Sequence, residues 1–245
     1  MGRAHVSTGK RFRLWIARVG LCMVVGFGSA QAEDKPFSVS LKGNFTTASQ
    51  LFPQPNSPDE VQRAQFFSLR DIWGVSVELR YRIPETDLAV ALSADYLRTT
   101  RTSSIRLSEN RQVPVEDGYR VVPVEVTGYF LIPLSSDPFG VYMGGGAGAY
   151  FGRRLYSIGG IEAPTVDRTI GFGIHVLSGV SYRFTERISV VAEMKFRDLQ
   201  FTSVNRFDIP TIQYGTIVLP VSTEPFDSRV HTDGIIFQLG VVVAF

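Results

Sequence analysis

The chain has 245 residues, 44% of them hydrophobic and 12% aromatic, with 23 glycines, one cysteine and a formal net charge of +2. It is too apolar to be disordered, its glycines keep no period of three, and a lone cysteine staples no small scaffold. Composition leaves a soluble domain and a membrane barrel both open, so the pattern along the chain has to separate them.

Arg3, Lys10, Arg11, Arg13 and Arg18 form a basic leader, and no acidic residue precedes Glu33. An apolar stretch over residues 19–30 follows, then Ala30-Gln31-Ala32. This is the order of a secretory signal, with small residues at the two positions a signal peptidase reads. The expected signal peptide is residues 1–32 and the expected mature domain residues 33–245. A membrane-spanning helix needs roughly 20 apolar residues, more than this stretch holds. Cys22 follows Leu21, where a lipoprotein signal carries a small residue, so it is read as part of the signal. Without the five leader cations, 20 basic and 23 acidic side chains remain, a net charge of −3. That removes the electrostatic case for nucleic-acid binding. The expected mature chain has no cysteine, which excludes thiol catalysis and cysteine-ligated metals.

From residue 33 onward the recurring signal is alternation with period two, in eight segments: 37–46, 71–82, 88–98, 119–132, 139–152, 170–184, 188–199 and 234–245. Short gaps (83–87, 133–138, 185–187) carry turn residues such as Pro84, Asp87, Ser135, Asp137 and Pro138. They alternate with long gaps at 51–70, 99–118, 153–169 and 200–233. Eight strands joined short and long in turn, with both termini at the short-turn end, predict an all-β, antiparallel up-and-down transmembrane barrel. A soluble sandwich would also alternate, so the faces decide.

In the first segment Phe37, Val39, Leu41 and Phe45 oppose Ser38, Ser40, Lys42 and Asn44. In the second, Trp73, Val75, Val77, Leu79 and Tyr81 oppose Gly74, Ser76, Glu78, Arg80 and Arg82. The sixth sets Phe172, Ile174, Val176 and Val180 against Gly173, His175, Gly179 and Ser181. The seventh sets Val190, Ala192, Met194 and Phe196 against Glu193, Lys195 and Arg197. The apolar faces also carry aromatics near both ends. Phe37, Tyr81, Phe139, Phe184 and Phe245 fall toward the short turns; Phe45, Trp73, Tyr96, Phe151, Phe172 and Phe196 fall toward the long loops. Rings at two levels with aliphatics between them match two membrane interfaces.

With these features the chain resembles the small eight-stranded outer-membrane barrels of Gram-negative bacteria, of the OmpX and OmpA transmembrane-domain type, with OmpW as a relative. The sharpest motif is the last strand, where Gln238, Gly240, Val243 and Phe245 fit the family's insertion signal. The resemblance implies that the barrel-assembly machinery reads these four positions. It also implies location in the outer membrane, export through the signal peptide, and contact with outer-membrane lipids and lipopolysaccharide.

An eight-stranded barrel has an interior just filled by side chains. The inward residues expected there include Glu78, Arg80, Arg82, Asp95, Glu125, His175, Arg183, Glu193, Lys195 and Arg197. Both signs are present, and an unpaired charge in a low-dielectric lumen is costly, so a charged network plugging the barrel is expected. A narrow pore or small-ligand conduit is the alternative. A lipid-modifying enzyme is the second alternative, and no enzymatic site is assigned. His175-Val176-Leu177-Ser178 does not give the His-x-Ser spacing of lipid A deacylases, and residues 33–36 leave no room for the helix that opens the palmitoyltransferases. No spacing of His, Asp and Glu suggests a metal, and no cofactor is expected. In the second long loop Arg98, Arg101, Arg106 and Arg111 are candidates for lipopolysaccharide phosphate, because arginine forks bind phosphate bidentately. The first loop, with Pro53, Pro55 and Pro58, reads as stiff and extended. The fourth, with Ile209, Ile212, Ile217 and Val218, reads as a surface β-ribbon able to meet an extracellular protein partner. The function expected is structural, adhesive or interaction-based.

Overall fold

A computed structural model describes residues 35–245, apart from 109–110, 134–137 and 233. The expected signal peptide and the turn residues Ser135 and Asp137 lie outside the described residues. In chain order the elements are β1 (Phe37–Phe52), α1 (Glu60–Ala64), β2 (Phe67–Arg82), β3 (Leu88–Ser108), β4 (Arg111–Leu131) and β5 (Phe139–Ile158). Then come β6 (Ile161–Glu162), β7 (Thr165–Arg168), β8 (Gly171–Arg183), β9 (Ile188–Arg197), β10 (Leu199–Asn205), β11 (Thr211–Tyr214), β12 (Ile217–Pro220), β13 (Phe226–Thr232) and β14 (Ile235–Ala244).

Eight of these strands form a ring in the order β14-β9-β8-β5-β4-β3-β2-β1, closed by pairing of β1 with β14. Every neighbouring pair is antiparallel. The seam runs in unbroken register from Ser38 opposite Ala244 to Thr46 opposite Ile236. At its end the Phe245 N–H donates to the Phe37 carbonyl at 2.9 Å. Closure leaves no strand edge in the ring, which is what allows strands to stand in a medium with no hydrogen-bonding groups. The apolar faces of the eight segments point outward: Trp73, Val77, Ile174 and Leu239 are all exposed, and Phe172 is 77% exposed. Aromatic pairs stand at both levels, Phe45 with Trp73 at 5.0 Å toward the long connections and Phe139 with Tyr182 at 5.0 Å near the short turns.

The long connections differ from the expected loops. β3 and β4 are 21 residues each, and their register continues to Arg106 opposite Gln112. The expected loop 99–118 is therefore mostly strand. Its threonines, valines and isoleucine favour extended backbone whether or not the faces differ in polarity. β5 likewise runs on to Ile158 and turns back through Gly159 and Gly160, whose φ values of 61° and 85° suit residues without a Cβ. The first connection is not extended but holds the one-turn α1, whose Val61 N–H donates to the capping Asp59 side chain at 2.9 Å.

The fourth connection does form a ribbon, β10 paired with β13, and its two edges are covered by β7 and by the far end of β1. β11 and β12 make a separate two-stranded sheet. The buried Ile212 side chain packs there with Val113, Val115, Ile158, Ala163 and Phe207. A second apolar cluster lies inside the ring below it, with Leu69, Ile72, Leu97, Tyr119, Val121 and Phe201 among its members.

Candidate functional site

Below those apolar layers the inward side of the ring carries an ionic network, which a third buried cluster of Ala89, Ala91, Tyr129, Tyr142, Leu177 and Val191 adjoins toward the short turns. At the level nearer the short turns, Lys42 on β1 reaches across the lumen. Its Nζ donates to Glu78 on β2 at 2.9 Å and to both carboxylate oxygens of Glu193 on β9 at 2.8 and 2.9 Å. Arg80 donates to Glu78 Oε1 at 2.8 Å through Nη2 and at 3.0 Å through Nε, and lies 3.5 Å from Glu193. Two tyrosines complete the carboxylate shells: Tyr129 donates to Glu78 at 2.7 Å and Tyr142 to Glu193 at 2.8 Å. The Arg80 guanidinium also stacks 3.9 Å from the centre of the Tyr129 ring.

One level up, Glu125 on β4 accepts from Lys195 Nζ at 3.0 Å and Arg197 Nη2 at 3.1 Å, with Arg197 Nε at 2.6 Å. Arg197 is also paired with Asp95 on β3. His175 lies 3.8 Å from Glu125 by Nδ1 and 2.8 Å from the Thr127 hydroxyl by Nε2. Four carboxylates thus meet Lys42, Arg80, Lys195 and Arg197, and the balance is neutral when the His175 imidazole is neutral. Apart from Arg80, none of the nine groups is more than 4% exposed.

Glycines set the room for these chains. A Cβ on Gly148 would come within 2.6 Å of Glu125 Cγ, and one on Gly240 within 2.7 Å of Lys42 Cγ.

Charge enclosed within a ring of strands, an apolar face outside and two aromatic belts are the inverse of a soluble core. The family model for the outer membrane protein beta-barrel domain matches residues 19–245 of this sequence. The chain belongs to that family. It is an outer-membrane barrel, and its outward belt is the surface that meets lipid.

Among solved structures, OprG from Pseudomonas aeruginosa matches with a TM-score of 0.55 at 10% identity, over 86% of this chain and 97% of that one. Neisserial surface protein A matches with a TM-score of 0.47 at 15% identity, over 85% and 97%. Ail of Yersinia pestis matches with a TM-score of 0.45 at 13% identity, over 86% and 100%. At such identities the likeness is one of fold. A comparison with curated proteins finds no match.

Within the outer-membrane barrel the expected lumen residues divide by height. Glu78, Arg80, Asp95, Glu125, His175, Glu193, Lys195 and Arg197 join the two levels just described. Arg82 and Arg183 do not, although both have inward parity. Each lies at the short-turn end of its strand, beyond the last enclosed layer, and its side chain is exposed. Lys42 joins without having been singled out, as do Tyr129 and Tyr142. Parity marks Lys42 as inward but gives no height, and tyrosines read as apolar until a carboxylate is seen to accept from them.

Of the last-strand positions, Gln238 is buried and donates to Asn44 Oδ1 at 2.8 Å, while Val243 and Phe245 face outward. The loop arginines are not one patch. Arg98 and Arg106 share the outward face of β3, eight residues apart in sequence, and Arg101 has the opposite parity. Arg111 opens β4, and its side chain lies outside the described residues.

Other histidine chemistry is sparse. His231 Nε2 lies 3.2 Å from Asp198 at an exposed position. Among the described residues no group of three or more His, Cys, Asp or Glu is arranged to hold a metal ion.

Proposed function

We propose that this outer-membrane barrel is a sealed, non-enzymatic anchor that holds its strand extensions at the cell surface for structural or adhesive contact with an extracellular protein. The observation that carries the sealed lumen is the matched set of four carboxylates and four cations, stacked on two levels. An aqueous channel keeps its charged lining hydrated. Here the Lys42, Glu193, Glu125 and Arg197 side chains are each at most 1% exposed. An ion passing that level would have to be stripped of water, at several kcal/mol per ion, and would compete with pairs already formed.

Display at the surface is supported by length. Crossing the bilayer takes about 9–11 tilted residues, and β3 and β4 have 21 each. The extension carries exposed apolar side chains, Val218 and Tyr214 on the β11–β12 hairpin among them, and such patches suit a protein partner. Insertion would follow the family's route, with Gln238, Gly240, Val243 and Phe245 read by the assembly machinery.

Planar-bilayer recording tests the seal. The expected record shows no discrete conductance steps at any voltage the membrane withstands. Reproducible steps that change size in a Glu125→Gln variant would replace the anchor with a pore. Lipid A mass spectra from cells with and without the protein are expected to be identical, and a new acylation or deacylation product would establish an enzyme.

A further inference from the structure

The outward face of the barrel holds a second charged feature that the lumen network does not use. Arg98 on β3 stands directly opposite Arg120 on β4, and Arg120 directly opposite Arg153 on β5. Side chains opposed in this way have Cβ atoms about 4.5–5.5 Å apart, and like charges so placed repel. The row needs an anion to be comfortable, yet none of its three guanidinium groups is ion-paired with a described side chain. By contrast the next residue along, Arg154, points inward and holds Asp117 at 2.6 Å. Arg153 Nε is buried and has no hydrogen-bond partner.

The height of the row is set by its neighbours. Two residues nearer the membrane on the same faces are Tyr96, Val122 and Phe151, and Tyr96 and Phe151 belong to the outer aromatic belt. Two residues of strand are about 7 Å, so the row stands at the level of lipid headgroups. Just beyond it is a cleft of about 400 Å³, whose lining includes Arg98, Thr100, Glu116, Ser157, Glu162 and Tyr214. Its carboxylates and hydroxyls suit the hydroxyl groups of a sugar and disfavour a second anion.

We propose that Arg98, Arg120 and Arg153 clamp the phosphate of a phosphorylated outer-leaflet glycolipid, with its sugar in the adjoining cleft and its acyl chains on the aromatic belt. Arginine forks grip phosphate oxygens bidentately, and three of them match a group carrying nearly two negative charges. Only Arg98 of the four loop arginines takes part, because Arg101 has the other parity and Arg106 stands far above the belt.

The test uses the refolded barrel in neutral detergent micelles, titrated with bis-phosphorylated lipid A, with the same lipid stripped of phosphate, and with inorganic phosphate. Lipid A is expected to bind and to raise the melting temperature, and each of the other two to do so much less. Arg120→Gln is expected to weaken lipid A binding by about ten- to a hundredfold, the range of one or two charge-assisted hydrogen bonds. Without lipid the same variant should be at least as stable as the parent, since a repulsion has been relieved. Arg101→Gln should bind normally. An Arg98→Gln/Arg120→Gln/Arg153→Gln variant that folds and keeps full preference for phosphorylated lipid A overturns the clamp. A loss of stability in Arg120→Gln that is the same with and without lipid A makes the row structural and also overturns it. Equal effects of inorganic phosphate and lipid A would reduce it to a simple anion site.

Discussion

Strand β4 passes through two halves of the molecule that follow opposite rules. In its membrane half Glu125, Thr127 and Tyr129 point into the lumen while Val122, Val124 and Val126 point outward. Beyond Arg120 the assignment reverses: Val113 and Val115 are buried among Ile158, Phe207 and Ile212, and Gln112 and Glu116 are exposed. The chain has not changed its geometry at this point, for the pairing of β4 with β5 runs from Leu131 to Val115 without a shift. What changes is the medium outside. Where lipid surrounds the ring, apolar side chains gain little by turning inward: a small cluster of Ala89, Ala91, Tyr129, Tyr142, Leu177 and Val191 does so near the short turns, and the fold rests mainly on closed backbone hydrogen bonds and paired charge. Where water surrounds it, burial of apolar area drives packing again.

That contrast is broken most severely by deleting a carboxylate from the enclosed half. Glu125 is shared by Lys195 and Arg197, and Asp95 is already engaged by Arg197. Glu125→Leu leaves Lys195 buried without its acceptor, a defect that costs about 3–5 kcal/mol. The urea midpoint of the barrel in micelles should fall accordingly, and a Glu125→Leu/Lys195→Met variant should recover most of the loss. A single variant with the parent's midpoint would mean that charge pairing does not hold this half together.

The water-exposed half should yield to a different change and on its own. Ile212→Ala removes a fully buried side chain from the β11–β12 hairpin, and loss of such a chain costs about 2 kcal/mol where the site can partly collapse. Amide exchange should quicken in β11 and β12 while the β1–β14 seam keeps its protection. If the seam quickened as much, the two halves would be one cooperative unit and the contrast would lose its meaning.

The same change of medium explains which parts of the fold can be read from sequence. Segments 37–46 and 71–82 are legible because lipid demands a greasy face and the lumen a polar one. The alternation stops at Thr46 and Asp71, and there the structure also changes. Thr46 and Ile72 point inward, then residues 47–48 and 70–71 are passed before Ser49 and Leu69 point inward again, with Asp71 at a φ of 56°. The arm of β3 beyond Thr99 is illegible for the opposite reason. Thr100, Thr102 and Ser104 on one face and Arg101, Ser103 and Ile105 on the other differ too little in polarity to mark a strand. Parity alone also places residues on a face without giving their height. That is why Arg82 and Arg183 read as lumen charges yet sit at the rim, and why the cross-strand row through Arg153 needs the register of β4 on β5 to be seen.

The mildest test of the contrast is titration in the outer half. Tyr156 on β5 packs 5.7 Å from Phe226 and 6.0 Å from Phe207, ring centre to ring centre, with the Arg154 guanidinium 4.5 Å from its own ring centre. Burial pushes its phenol above the ordinary value of 10.0, and the nearby Asp117 carboxylate adds to the rise while Arg154 opposes it. The fold therefore favours the neutral phenol. Its contribution is complete below the unfolded value, about 10, and fades as pH climbs through the higher folded one. Loosening of β11 and β12, followed by amide exchange corrected for its intrinsic pH dependence, should set in above that pH while the membrane half stays closed. Tyr156→Phe should abolish the alkaline loosening and remove one late-titrating phenolate from the absorbance curve. A variant that loosens at the same pH as the parent would place the alkaline-sensitive group elsewhere and leave the apolar packing of this cluster indifferent to its one central hydroxyl.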